Sequence, residues 1–238
     1  MTSRAGSASV CRSSSVLGRS RGAPVSAIAA VAIVALACSA PPPPNGCGHG
    51  VIDTMEDGDD EICHDEGRIG DWYTFNDGTG TQTPPASGEV APARIAGGRG
   101  ASHFAMHTFG DGCTGWGDAL AVHLNEASDG SIAPFDARAY TGITFWARGI
   151  GMTHFVVPEL GTAAVKDGGI CTRGCADSYG AAVDLTATWQ QVTMPFRDLT
   201  QLGLGTWVPF LPSTILGIQF LIPCEHAFDL WVDDIALY

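Results

Sequence analysis

The stretch Gly142-Ile143-Thr144-Phe145-Trp146-Ala147-Arg148-Gly149 decides the fold class. Ile143, Phe145 and Ala147 fall on one side of an extended chain, and Thr144, Trp146 and Arg148 on the other. That is the period-two pattern of a strand with one buried face. Aromatic and β-branched residues fill the run and a glycine stands at each end. Working outward, similar runs occupy 102–108, 119–125, 153–158, 180–185, 190–194, 215–222 and 228–237. Turn signals recur between them, at Gly97-Gly98, Asp111-Gly112, Asp129-Gly130 and 167–169. Many short strands at such spacing predict an all-β, antiparallel β-sandwich over 51–238. Only 197–204 has the makings of one or two helical turns. Residues 76–85 read as a long surface loop, and 45–66 as an acidic lead-in.

The chain begins differently. Arg4, Arg12, Arg19 and Arg21 stand without an acidic residue and are followed by an apolar run over 27–37 and small residues at a cut site. This order predicts a secretory signal peptide over 1–37. The apolar run is far short of the roughly 20 residues that span a bilayer. Ala35-Leu36-Ala37-Cys38 resembles the lipobox of bacterial lipoproteins, in which Cys38 would become the lipidated first residue. Ordinary cleavage after Ala37 would instead leave Cys38 as a spare thiol. Pro41 to Pro44 follow, and 38–50 reads as a stiff Pro-rich tether. The expectation is an exported protein, either an outer-membrane or cell-surface lipoprotein or a secreted one, touching membrane only through a lipid anchor.

Beyond residue 37, eight of the twelve basic residues remain against 25 acidic ones, a net charge of −17, and Lys166 is the only lysine. Such a surface repels phosphate backbones and speaks against nucleic acid as a partner. Cys47, Cys63, Cys113, Cys171, Cys175 and Cys224 make an even six, which in an exported chain predicts three disulfides. Six cysteines allow about 15 pairings; proximity suggests Cys47 with Cys63. A metal site at Cys171 and Cys175 lacks a second pair at ligand spacing.

Three motifs stand in order along the domain: Met55-Glu56-Asp57-Gly58-Asp59, Thr188-Trp189-Gln190-Gln191-Val192-Thr193-Met194-Pro195-Phe196, and Trp231-Val232-Asp233-Asp234-Ile235. Together with 142–149 they resemble the carbohydrate-binding modules of the galactose-binding-like jelly-roll superfamily, especially the family-11-like ones. The resemblance covers 51–238 and implies a jelly roll whose concave sheet binds glycans. It also implies a structural calcium ion held by Glu56 and Asp57 from the opening motif and Asp233 and Asp234 from the closing one. Calcium takes six to eight oxygen ligands, and an ion would relieve the repulsion among these carboxylates. Asn45-Gly46-Cys47-Gly48-His49-Gly50-Val51-Ile52-Asp53 resembles the start of a Cys-rich motif of myxobacterial surface proteins.

Alternation also nominates ligand-binding residues. His103 and His107 oppose Phe104 and Met106; His123 opposes Leu120 and Val122; Trp146 and Arg148 oppose Ile143 and Phe145. His154 opposes Phe155, and Gln219 opposes Ile218 and Phe220. Five strands thus offer one apolar face and one bearing polar and aromatic groups, with Trp116 in a Gly-rich loop as a rim platform. Aromatic rings stack on the CH face of a pyranose while planar polar side chains bond its hydroxyls. His103 and His107, about 13 Å apart on one strand, cannot share a metal. The chain carries no G-x-S-x-G, H-E-x-x-H or phosphate-loop motif, and Glu126, Glu159 and Glu225 have no context that marks a hydrolytic pair. The reading is a non-catalytic polysaccharide binder. A structural or adhesive surface domain with a protein partner is the alternative.

Overall fold

The computed structural model describes residues 46–86, 90–224 and 226–238, all within the compact unit Pro41–Tyr238. The expected signal peptide over 1–37, Cys38 and the four prolines lie outside the described residues. The strands are β1 (Val51–Asp53), β2 (Trp72–Asn76), β3 (Thr81–Thr83), β4 (Ala93–Arg99), β5 (Ser102–Asp111), β6 (Asp118–His123), β7 (Gly142–Ile150), β8 (Met152–Val157), β9 (Tyr179–Asp184), β10 (Gln190–Pro195), β11 (Gly217–Ile222) and β12 (Phe228–Leu237).

They form two antiparallel sheets, face to face. The larger runs β10-β7-β12-β5-β3, with β1 also on β12 and β4 on β5; the smaller runs β2-β6-β11-β8-β9. The architecture is the expected jelly-roll sandwich. Its core forms because each strand turns every second residue inward. Ile143, Phe145 and Ala147 of β7 are fully buried, as are Phe155 of β8 and Phe220 of β11. The rings of Phe145, Phe155 and Phe220 meet at centroid distances of 5.1 to 5.4 Å, bridging the two sheets. Gly149 is required where β7 crosses β12. Its φ is +151°, and a Cβ there would stand 1.7 Å from the Asp229 carbonyl oxygen.

All eight strands expected from alternation are present. The helical expectation over 197–204 reduces to one 3-10 turn at Phe196–Asp198. One loop expectation is corrected. The 76–85 segment carries β3, whose Gln82 is buried because its amide donates to Thr108 Oγ1 (3.3 Å) and to the Ala119 carbonyl (3.0 Å), linking the sheets. The 45–66 segment carries β1. The expected tether also ends sooner, since Cys47 is bonded to Cys63 and the Gly50 N–H donates to Glu66 Oε2 at 3.0 Å. The other disulfides are Cys113–Cys224 and Cys171–Cys175. Among the described residues no helix is long and apolar enough to cross a membrane.

Candidate functional site

The outer face of the five-stranded sheet carries a groove of about 640 Å3. It runs from Phe75 on β2, past Leu221 and Gln219 on β11 and His154 on β8, to Ser178 before β9. With strands about 4.8 Å apart, a path across five of them is roughly 19 Å long. Its ends differ in chemistry.

The β2 end is aromatic. Because Trp72 and Thr74 point into the core, Tyr73 and Phe75 point out. Ring centroids follow one another from His123 to Tyr73 (5.0 Å), Tyr73 to Phe75 (5.9 Å) and Phe75 to Trp116 (5.5 Å). Trp116 is half exposed, yet its loop is firmly held. Asp77 Oδ2 accepts the N–H groups of Gly115 (2.9 Å) and Gly117 (3.0 Å), and the Cys113–Cys224 bond closes the loop base. The Thr79 hydroxyl and these N–H groups hold the Asp77 carboxyl below its ordinary range. Gly117 is required: a Cβ there would meet the Ile222 carbonyl oxygen at 1.9 Å. His123 donates from Nδ1 to Glu126 Oε2 (2.7 Å), which leaves Nε2 to accept the Tyr73 hydroxyl at 3.1 Å. Burial, and then the Glu126 charge, push the Tyr73 phenol up, so it stays a neutral donor.

The floor sets two polar groups, His154 and Gln219, among Leu221, Val156 and Met152. Burial lowers the His154 pKa, and its Nε2 is buried without a hydrogen-bond partner. Gln219 lies on the neighbouring strand, in the row next to it.

The β9 end is aliphatic. Buried Asp177 accepts the N–H of Leu202 on Oδ1 (2.9 Å) and those of Gly203 (3.0 Å) and Gly205 (2.9 Å) on Oδ2. The loop therefore wraps the carboxylate and turns Leu202 and Leu204 outward over the groove. The Thr206 N–H donates to the Gly174 carbonyl (2.8 Å), tying the loop to the one closed by Cys171–Cys175.

The residues expected to share one binding face lie on two. His123, His154, Gln219 and Trp116 belong to the small sheet and its rim. His103, His107, Trp146 and Arg148 lie on the outer face of the large sheet, where they pack on each other and their neighbours. The His107 ring stacks on Trp231 at 3.8 Å, Arg148 lies between Trp231 (4.7 Å) and Trp189 (5.0 Å), and Arg99 covers Trp146 (4.6 Å). His107 also bonds Asp229 Oδ1 at 3.0 Å; burial outweighs that carboxylate and lowers the His107 pKa. His103 is exposed, and its N–H donates to Glu56 Oε1 at 2.7 Å.

The expected calcium ligands do not fit an ion. Arg99 takes the cation's place, pairing with Asp234 and with Asp233 Oδ2 (2.9 Å), which also accepts the Ser102 hydroxyl at 2.6 Å. Glu56 is turned to the His103 and Phe104 N–H groups. Among the described residues no three of Glu56, Asp57, Asp233 and Asp234 bring ligand oxygens within 4.8 Å of one another.

Phe75, Asp177, Leu202 and Leu204 were not anticipated. The alternation of Trp72-Tyr73-Thr74-Phe75 was a usable signal for the first. Nothing local marks Asp177 as the centre of a loop 25 residues on.

No protein-family model matches the chain. Endoglucanase 3 of Fibrobacter succinogenes is 29% identical over 191 residues, covering 74% of this chain and 24% of that protein. The chain thus spans about a quarter of the length of that relative. Among solved structures, the family 11 carbohydrate-binding module of the Clostridium thermocellum cellulase Lic26A-Cel5E superposes with a TM-score of 0.45 at 15% identity, covering 80% of this chain and 95% of that one. The family 30 module of the Clostridium thermocellum cellulase Cel9D-Cel44B gives 0.47 at 15% identity, covering 79% and 95%.

Proposed function

We propose that this protein is an exported, non-catalytic binder of neutral polysaccharide, glucans first, and that the groove across the five-stranded sheet is its site. The observation that carries this reading is the strip of Tyr73, Phe75 and Trp116 beside the uncharged polar groups of Gln219 and His154. Rings of this kind cover the CH face of a pyranose, while amide and imidazole groups bond its hydroxyls. Among the described residues no Lys or Arg lines the groove, and the one carboxylate that does, Asp177, is taken up by three N–H groups. A hydrolytic reading would need two facing carboxylates free to act on a glycosidic bond. The likeness to an endoglucanase over a quarter of its length suits an accessory module better than a whole hydrolase. Three disulfides suit an oxidising compartment outside the cytoplasm, and a lipid on Cys38 is the surface attachment assigned here. Mass spectrometry of the mature N-terminus separates a lipidated Cys38 from a free thiol.

The test is titration calorimetry of the purified protein against soluble β-glucans, mannans and xylans, with Trp116→Ala alongside. The reading expects micromolar to millimolar binding to at least one neutral polymer, weakened in the variant. Binding that the variant leaves intact would move the site elsewhere, and no binding by a folded sample would overturn the function.

A further inference from the structure

We infer that the groove is built for a neutral glycan bearing O-acyl substituents, and that Leu202 and Leu204 are the residues that read them. This rests on the glycan reading above and extends it to the chemistry of the substituent. Its starting point is the difference between the two ends of the groove. A bare sugar ring gains from a flat aromatic face, which the β2 end supplies in Phe75 and Trp116. The β9 end offers no aromatic ring among its described lining residues; beside Ser178 and the bonded Asp177 it presents the isobutyl groups of Leu202 and Leu204, with Val156 and Met152 continuing the aliphatic surface along β8. An isobutyl group presents no flat face and no hydrogen-bonding atom to a hydroxylated ring. It does cover methyl and acyl groups, at about 25 cal/mol per Å2 of apolar area removed from water.

Those two leucines are not the tip of a frayed loop. Leu202 is 60% and Leu204 81% exposed, while the backbone that carries them is bound by three N–H bonds to Asp177 and by the Gln201 amide, which donates to the Asp177 carbonyl at 2.8 Å. Apolar side chains held in water on an ordered backbone are poised to be covered by something apolar. Charge narrows the choice of substituent. Among the described residues no Lys or Arg lines the groove and the chain is strongly acidic, so sulfate, phosphate and uronate groups are disfavoured while an uncharged ester is accepted. The distance between the ends allows one chain to lay ring faces on the aromatics and present an ester to the leucines.

The experiment compares one soluble β-glucan in two forms, partially O-acetylated and the same preparation after mild alkaline deacetylation, by calorimetry on the whole protein. Each buried acetyl methyl is worth about fourfold in affinity, the equivalent of ~0.8 kcal/mol per buried CH2. The acetylated form should therefore bind several-fold more tightly. That ratio should collapse toward one in Leu202→Ser/Leu204→Ser, while Trp116→Ala weakens both forms and keeps the ratio. Equal affinity for the two forms overturns the inference and leaves the glycan reading standing. Failure of both forms to bind a folded sample overturns both.

Discussion

The His107 imidazole lies flat on the Trp231 indole, with ring centroids 3.8 Å apart and planes 15° from parallel. From that pair a ribbon of alternating rings and cations runs over the large sheet, through Arg148, Trp189 and Arg99 to Trp146. The rings and cations of this face cover one another, so the face acts as a second, outer layer of packing. The small sheet, by contrast, leaves its aromatic strip and His154 open to a groove.

Truncating the ribbon should therefore cost stability rather than binding. Cation–π contacts of this geometry contribute about 0.5–2 kcal/mol each, and Arg148 makes two. Arg148→Ala should lower the unfolding free energy by about 1–3 kcal/mol in urea titrations, with glycan affinity changed less than twofold. A loss of affinity from a still-folded variant would put ligand on the large sheet.

At the groove the order reverses. Trp116 is half exposed and its ring meets that of Phe75 at the groove rim, so Trp116→Ala should leave the unfolding midpoint nearly unchanged. Loss of one stacking ring, about 1 kcal/mol, should weaken polysaccharide binding five- to tenfold, read by affinity electrophoresis.

The Cys113–Cys224 bond joins residues 111 positions apart and closes the base of the Trp116 loop. Cross-links across so long a stretch stabilise by about 2–5 kcal/mol. Replacing both cysteines with Ser should lower stability by that order and weaken binding as well, because Trp116 loses its fixed position. Intact affinity in the folded double variant would show that Asp77 alone positions the loop.

Stability should fall as pH rises from about 4 to about 7. Burial lifts the Asp53 carboxyl to about 7 from its ordinary 3.8, more than the Met55 and Trp72 N–H bonds, both 2.7 Å, can offset. In that window the folded state holds a proton that the unfolded state has released, so the slope of stability against pH is negative, and it flattens above 7. Each tenfold in proton affinity is worth about 1.4 kcal/mol, giving a total on the order of 4 kcal/mol. Urea midpoints from pH 4 to 8 measure it; Asp53→Asn, which cannot ionise, should remove this part of the slope. An unchanged slope in the variant would assign it to other groups.

The alternation in 142–149 and seven similar runs, read one residue at a time, was enough to place eight strands, because the side-chain period of a strand is independent of its partners. The six cysteines beyond residue 38 likewise announced three bridges. Strands too short to show a period, such as Thr81–Thr83, were illegible. So was Gln82, which is buried only because Thr108 and Ala119 from opposite sheets converge on its amide.

By itself, then, the sequence determined the inward and outward alternation along the eight strands it revealed, and hence a β-sandwich with an acidic, disulfide-bonded chain. Only the tertiary structure decided which sheet each strand joined. Period two distinguishes inside from outside, but a sandwich has two outsides, and His107 and His154 look alike until strand pairing puts one on each. The same holds for the calcium expectation, which turned on Arg99 reaching Asp233 from 134 residues away, and for the groove wall, where Asp177 gathers three N–H groups that no local pattern connects to it.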